Sequence, residues 1–166
     1  MNSLPPEDTE FGLANKAGLT PLMFACVDDQ PAMVEKLCQV PGINLNYRDI
    51  KGFTALMCAV ATNHVQCVEK FRAINGVDWD ALKHGLSAIM VAVKWGHVGV
   101  VEALLPVSSL NLNIKTSAGF SVAHYAVASD KVNSLRILEL LCQDERVDWN
   151  TEDPMGKRPV LLPPQC

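Results

Sequence analysis

The sequence predicts an all-α solenoid of stacked helix-turn-helix units with protruding β-turn or hairpin loops, and two ladders of residues carry that expectation. The first starts at glycine. Gly18-Leu19-Thr20-Pro21-Leu22-Met23-Phe24-Ala25 returns as Gly52-Phe53-Thr54-Ala55-Leu56-Met57-Cys58-Ala59, as Gly85-Leu86-Ser87-Ala88-Ile89-Met90-Val91-Ala92, and as Gly119-Phe120-Ser121-Val122-Ala123-His124-Tyr125-Ala126. These glycines are 34, 33 and 34 residues apart. The second ladder is a tetrad: Ile43-Asn44-Leu45-Asn46, Val77-Asp78-Trp79-Asp80, Leu110-Asn111-Leu112-Asn113 and Val147-Asp148-Trp149-Asn150. Each tetrad ends 28, 28, 28 and 31 residues after its glycine. Two motifs sharing one period mark a repeat.

Each unit parses physically. The glycine supplies the positive φ of a tight turn. Two residues on, Thr20, Thr54, Ser87 and Ser121 are placed to cap a helix, and Pro21 suits a first helical turn. A short apolar helix then runs to about Asp28, Ala61, Lys94 and Ala128. Polar breaks follow at Asp29-Gln30-Pro31, Thr62-Asn63-His64, Trp95-Gly96-His97 and Ser129-Asp130-Lys131. The second helix has apolar residues at helical spacing, such as Met33, Val34, Leu37 and Cys38, or Val98, Val101, Leu104 and Leu105. A loop rich in Pro, Gly or Asn closes the unit. The repeats are read as residues 15–48, 49–81, 82–115 and 116–150. An acidic, flexible arm at 1–14 precedes them, and 151–166 follow as an incomplete fifth repeat or a C-terminal capping tail.

At Gly18-x-Thr20-Pro21-Leu22, at Gly96-His97 and at His124 the chain resembles the ankyrin repeat pattern, over residues 15 to 150, with a truncated fifth start at Gly156-Lys157-Arg158-Pro159-Val160. It departs from that pattern in longer loops before the tetrads, a turn between Asp80 and Gly85 that is one residue shorter, and three extra residues in the fourth unit. The resemblance implies a non-catalytic, intracellular protein-protein interaction module, an adaptor or scaffold gripping its partner with the turn tips and the exposed side of the first helices. Tyr47, Arg48, Ile50, Lys51, Lys83, His84, Lys94, Trp95 and Lys115 are the candidate partner-binding residues, suited to an acidic or extended segment. Two alternatives stay open: a small stoichiometric inhibitor like the ankyrin-type cyclin-dependent-kinase inhibitors, or the regulatory ankyrin portion of a longer enzyme or channel. The resemblance also makes Asn46, Asn113 and Asn150 candidates for hydroxylation; read from the residues alone, they stabilise the turn by hydrogen bonds to backbone.

Composition narrows the classes further. The chain has 166 residues with 14 Lys and Arg against 18 Asp and Glu, a net charge of −4. A protein gripping bare nucleic acid or an anionic membrane would carry a basic stripe instead. The longest apolar run, 55 to 61, is far short of the roughly 20 residues a bilayer requires. The first residues, Met1-Asn2-Ser3-Leu4-Pro5-Pro6-Glu7-Asp8, form no secretory signal, so the expected compartment is cytoplasmic, with the nucleus open. The six cysteines form no CxxC pair and read as reduced thiols. His64, His84, His97 and His124 lack metal-ligand spacing; they read as hydrogen-bonding residues between repeats, apart from His84 on a turn tip. No GxSxG, GxGxxG or GxxxxGK[ST] occurs, so no enzyme, cofactor or metal is expected.

Trp79 and Trp149 share a tetrad position with Leu45 and Leu112, which suggests packing under the loop. Trp95 has no apolar equivalent in the other units and is expected on the inner groove. Glu35, Lys36 and Gln39 give the first unit a polar outer face. At the other end Leu135, Leu138 and Leu141 are expected to face solvent, the tail or another chain, which permits self-association there.

Overall fold

A computed structural model describes residues 14–130 and 132–159 of the chain. The arm at 1–13 and the end of the tail at 160–166 lie outside the described residues. The described residues hold eight helices in four pairs: α1 Pro21–Val27, α2 Pro31–Cys38, α3 Ala55–Ala61, α4 Val65–Phe71, α5 Ala88–Trp95, α6 Val98–Leu104, α7 Val122–Ala128 and α8 Ser134–Cys142. They group into two compact units, Met1–Asp78 and Trp79–Cys166. In the first unit α1 packs on α2 and α3, and α4 on α2 and α3; in the second, α7 packs on α5 and α8, and α6 on α5 and α8. Helices of seven to nine residues are marginal alone, so packing between pairs holds them.

The helix starts follow the expected register, with two exceptions in chemistry. Thr20 and Thr54 hydroxyls accept from the Met23 and Met57 amides at 3.3 Å. Ser87 occupies the same place, but its buried hydroxyl has no partner. At α7 the cap is a reciprocal box, in which the Ser121 amide also donates to Nδ1 of His124 at 3.2 Å. That makes Nδ1 an acceptor and leaves Nε2–H to donate to the Lys157 carbonyl at 3.3 Å. His64 also links neighbouring pairs, its Nδ1 donating to the Cys26 carbonyl at 2.8 Å.

The turns before the first helices are built by side chains. Oδ1 of Asp49 accepts from the Lys51 and Phe53 amides at 2.9 and 2.7 Å, while its own amide donates to the Phe53 carbonyl. Asn15 and Asp153 do the same at the first and last turns, and the Thr116 hydroxyl substitutes in the fourth. Gly18, φ +74°, must be glycine, because a Cβ there would meet the Ile50 amide nitrogen at 2.9 Å. The one-residue-shorter turn takes another form. Lys83 and Leu86 exchange both backbone bonds at 2.9 Å, and the two residues between them, His84 and Gly85, both have positive φ, as a type I′ hairpin demands.

Asparagines tie successive tetrads together. Asn46 Nδ2 donates to the Gly76 carbonyl and its Oδ1 accepts from the Asp78 amide, both at 2.8 Å. Asn113 makes the equivalent pair with Arg146 and Asp148, at 2.7 and 2.8 Å. Asp80 has no side-chain amide to donate; its carboxylate accepts from the Asn111 backbone at 2.9 Å.

The ends differ from expectation. Leu141 is fully buried, because its place in the register is that of Leu37, Phe71 and Leu104; Leu135 is 69% exposed and Leu138 half-buried. The outer side of the first pair is not solely polar: Phe24 and Met33 are exposed there, while Glu35 turns to the next pair and meets Lys70. Trp79 is buried and Trp149 half-buried. Cys142 is disulfide-bonded, which corrects the expectation of a reduced thiol there. The free cysteines 26, 38, 58 and 67 are buried.

The packing around Arg146 and the buried thiols can be tested. Arg146 donates to the Leu105 and Val107 carbonyls just past α6 and to both oxygens of Asp144. Arg146→Ala should lower unfolding free energy by about 2 kcal/mol in urea titrations. The guanidinium also holds the Asp144 carboxyl below its ordinary range. The unfolded chain therefore takes up that proton first as pH falls. The pair's contribution is complete above the ordinary carboxylate range and is lost as pH drops through the lowered native value, and Asp144→Asn should remove that part of the acid limb. Burial pushes Cys38 and Cys67 up to about 11, Asp29 adding to the effect on Cys67, and pushes Cys26 higher. At about pH 8 the native protein should leave these three thiols unlabelled by Ellman's reagent, and labelling without unfolding would contradict their burial.

Candidate protein-binding surface

In the first unit the candidate residues lie on or beside the turn anchored by Asp49. Ile50 at its tip is 74% exposed, Arg48 and Lys51 are exposed, and Tyr47 is half-buried. The Ile50 Cγ2 lies over Gly18 of the preceding turn, and most of the side chain stays in water between the two cations.

The second unit carries the others. Lys83 is half-buried in the short hairpin and His84 is exposed at its tip. Lys115, in the next turn, has Nζ donating to the Glu152 carbonyl at 3.0 Å. Lys94 and Trp95 end α5, where Gly96, φ +74°, closes the helix in the left-handed conformation. Trp95 stands one turn after half-buried Val91, away from Ile89, Met90 and Val93 on the buried side. It is 58% exposed.

The structure brings Lys94 and Trp95 together with residues that the sequence reading did not select. A pocket of about 300 Å³ is bounded by Lys94 and Trp95 on α5 and by Tyr125, Ser129 and Asp130 on and after α7. Tyr125 also forms a wall of a second, mainly apolar pocket of about 450 Å³ with Phe120, Val127 and Pro159. The Phe120 ring meets His124 and Tyr125 edge-on, with centroids 5.7 and 6.4 Å apart, which fixes that wall. The signal for Tyr125 was its column: Phe24, Cys58 and Val91 occupy it elsewhere, so a phenol there was the departure. Around the second pocket Arg158 pairs with Glu152 at 2.9 Å, and Asp153 Oδ1 is engaged by its own turn.

Asn46 and Asn113 are occupied by the tetrad bonds already described. Asn150, in the same column, is exposed, and its side chain has no partner among the described residues. Among the described residues no group of three or more His, Cys, Asp or Glu is placed to hold a metal ion, and no helix is long and apolar enough to cross a membrane.

Comparison with known proteins agrees with this architecture. No curated protein matches the sequence at a significant level. Among solved structures, the ankyrin repeat domain of Bcl-3, a member of the IkappaB protein family, aligns with a TM-score of 0.81 at 24% identity, covering 93% of this chain and 67% of that one. An ankyrin repeat protein aligns with a TM-score of 0.81 at 18% identity over 92% of this chain and 77% of its own. An ankyrin repeat domain from Acinetobacter baumannii gives 0.78 at 22% identity, with 92% and 77% covered. At these identities the likeness is one of fold. The family model of ankyrin repeats in three copies matches residues 2–81 and 70–153, and ankyrin repeats are protein-protein interaction modules. With that match spanning most of its length, the chain belongs to the ankyrin repeat family.

Proposed function

We propose that this chain is a non-catalytic adaptor or scaffold that binds another protein through its turn tips and the exposed ends of its first helices, in the cytoplasm. The repeats in this reading are 15–48, 49–81, 82–115 and 116–150. The observation that carries it is Trp95, 58% exposed at the mouth of a pocket and next to Lys94, in a column that holds Asp28, Thr62 and Ser129 in the other pairs. A large aromatic side chain held by a short rigid helix and left in water is the usual form of a binding anchor. Lys51 in the first unit, and Lys83, Lys94 and Lys115 in the second, put positive charge on turn tips and a first-helix end of an otherwise acidic chain, which favours an acidic, extended partner segment. Affinity then comes from a few anchors in a pre-formed groove rather than from total area.

Charge reversal separates steering from anchoring. For a partner recovered on the immobilised chain, Lys51→Glu with Lys83→Glu should slow association about tenfold at low salt and flatten its dependence on sodium chloride. Trp95→Ala should act on dissociation instead, weakening binding by about tenfold or more in surface plasmon resonance. A partner indifferent to both changes binds elsewhere, and the proposed surface is then wrong.

A further inference from the structure

The outer side of the first helix pair supports an inference independent of the turn-tip surface. Met33 stands ten residues before its tetrad, as do Cys67, Val100 and Ile137. Those three are 0%, 0% and 1% exposed, whereas Met33 is 45% exposed. Cys67 shows what the position meets when covered: its thiol points at the Ala25 carbonyl and Asp29 of the preceding pair. Phe24, on α1, is also exposed, and with Pro21, Met33 and Leu37 it lines a recess of about 520 Å³. At Met33 the first pair thus presents to water a position that later pairs bury, and at Phe24 one that the second pair buries with Cys58.

The charges on this side are arranged to suit a copy of itself. Asp28 closes α1 at one end of the recess. Lys36 lies one turn after Met33, near the other end, since α2 runs back along α1. Neither side chain has a partner among the described residues. The Lys36 position is built to reach across, because its equivalent Lys70 pairs with Glu35 of the preceding pair. A two-fold axis through the recess reverses this direction. Such an axis would set Phe24 and Met33 of one copy against the same residues of the other and bring each Lys36 towards the opposite Asp28.

We propose that the outer side of α1 and α2 is a self-association surface on which a second copy of this chain docks about that two-fold axis. Three partly exposed apolar side chains per copy make a small interface, so the dimer is weak and concentration-dependent. Sedimentation equilibrium over a roughly hundredfold concentration range reads it directly. The wild-type mass should rise from one chain towards two, and Met33→Glu should hold it at one with an unchanged far-ultraviolet circular dichroism spectrum. Phe24→Lys provides the same readout if Met33→Glu does not fold. Asp28→Lys and Lys36→Asp should each weaken the dimer about tenfold, and the double variant should restore it, because the swap preserves the pairing only in the antiparallel two-fold arrangement. A wild-type chain monomeric throughout overturns the proposal. So does a dimer that survives the apolar-to-charged variants, which puts the contact on another surface such as Leu135 and Leu138, or a double swap that fails to restore association.

Discussion

The amide side chains of Asn46 and Asn113 are the joints on which the rest of the structure depends. Each donates to a carbonyl and accepts from an amide of the next tetrad, at 2.7 to 2.8 Å, so a single residue fixes two backbone groups of the following repeat. A carboxylate cannot donate, and Asp80 accordingly accepts from the Asn111 backbone. Because the joints lie in exposed loops, each hydrogen bond is worth only about 1 kcal/mol. Their importance is geometric. They set the level at which one tetrad meets the next, and the turns that follow within four residues carry Ile50 and Lys115.

Much of this could be read in the residues before any coordinates. The glycine and tetrad ladders located all eight helices because a turn glycine, a capping hydroxyl and a helical apolar pattern recur at fixed offsets. What escaped depends on neighbours rather than on pattern. Periodicity marks Leu135, Leu138 and Leu141 as one apolar face, yet only Leu141 shares the column of the buried Leu37 and Phe71. Met33 looks like any core residue in the sequence, since its exposure depends on what stands before its helix. Ser87 has the residue type of a cap without the bond, because identity gives the capability and only the backbone gives the distance.

The candidate surface was legible to the same degree. Trp95 stood out because its column is otherwise small or polar, and a repeat frame tolerates variation only where no neighbour packs. Tyr125 gives a weaker signal, because its column is otherwise apolar. In place it separates two pockets with its ring and edge. The fold supplies a rigid frame whose columns hold the core, and function resides in the few residues that break their column.

Amide hydrogen exchange at Asp78 and Asp148 tests the joints most directly. In the native protein both amides should be protected well beyond an open loop. Asn113→Ala should return Asp148 to the unprotected rate while leaving Asp78 unchanged. If Asp148 already exchanges freely in the wild type, or keeps its protection without Asn113, the asparagine does not join the tetrads.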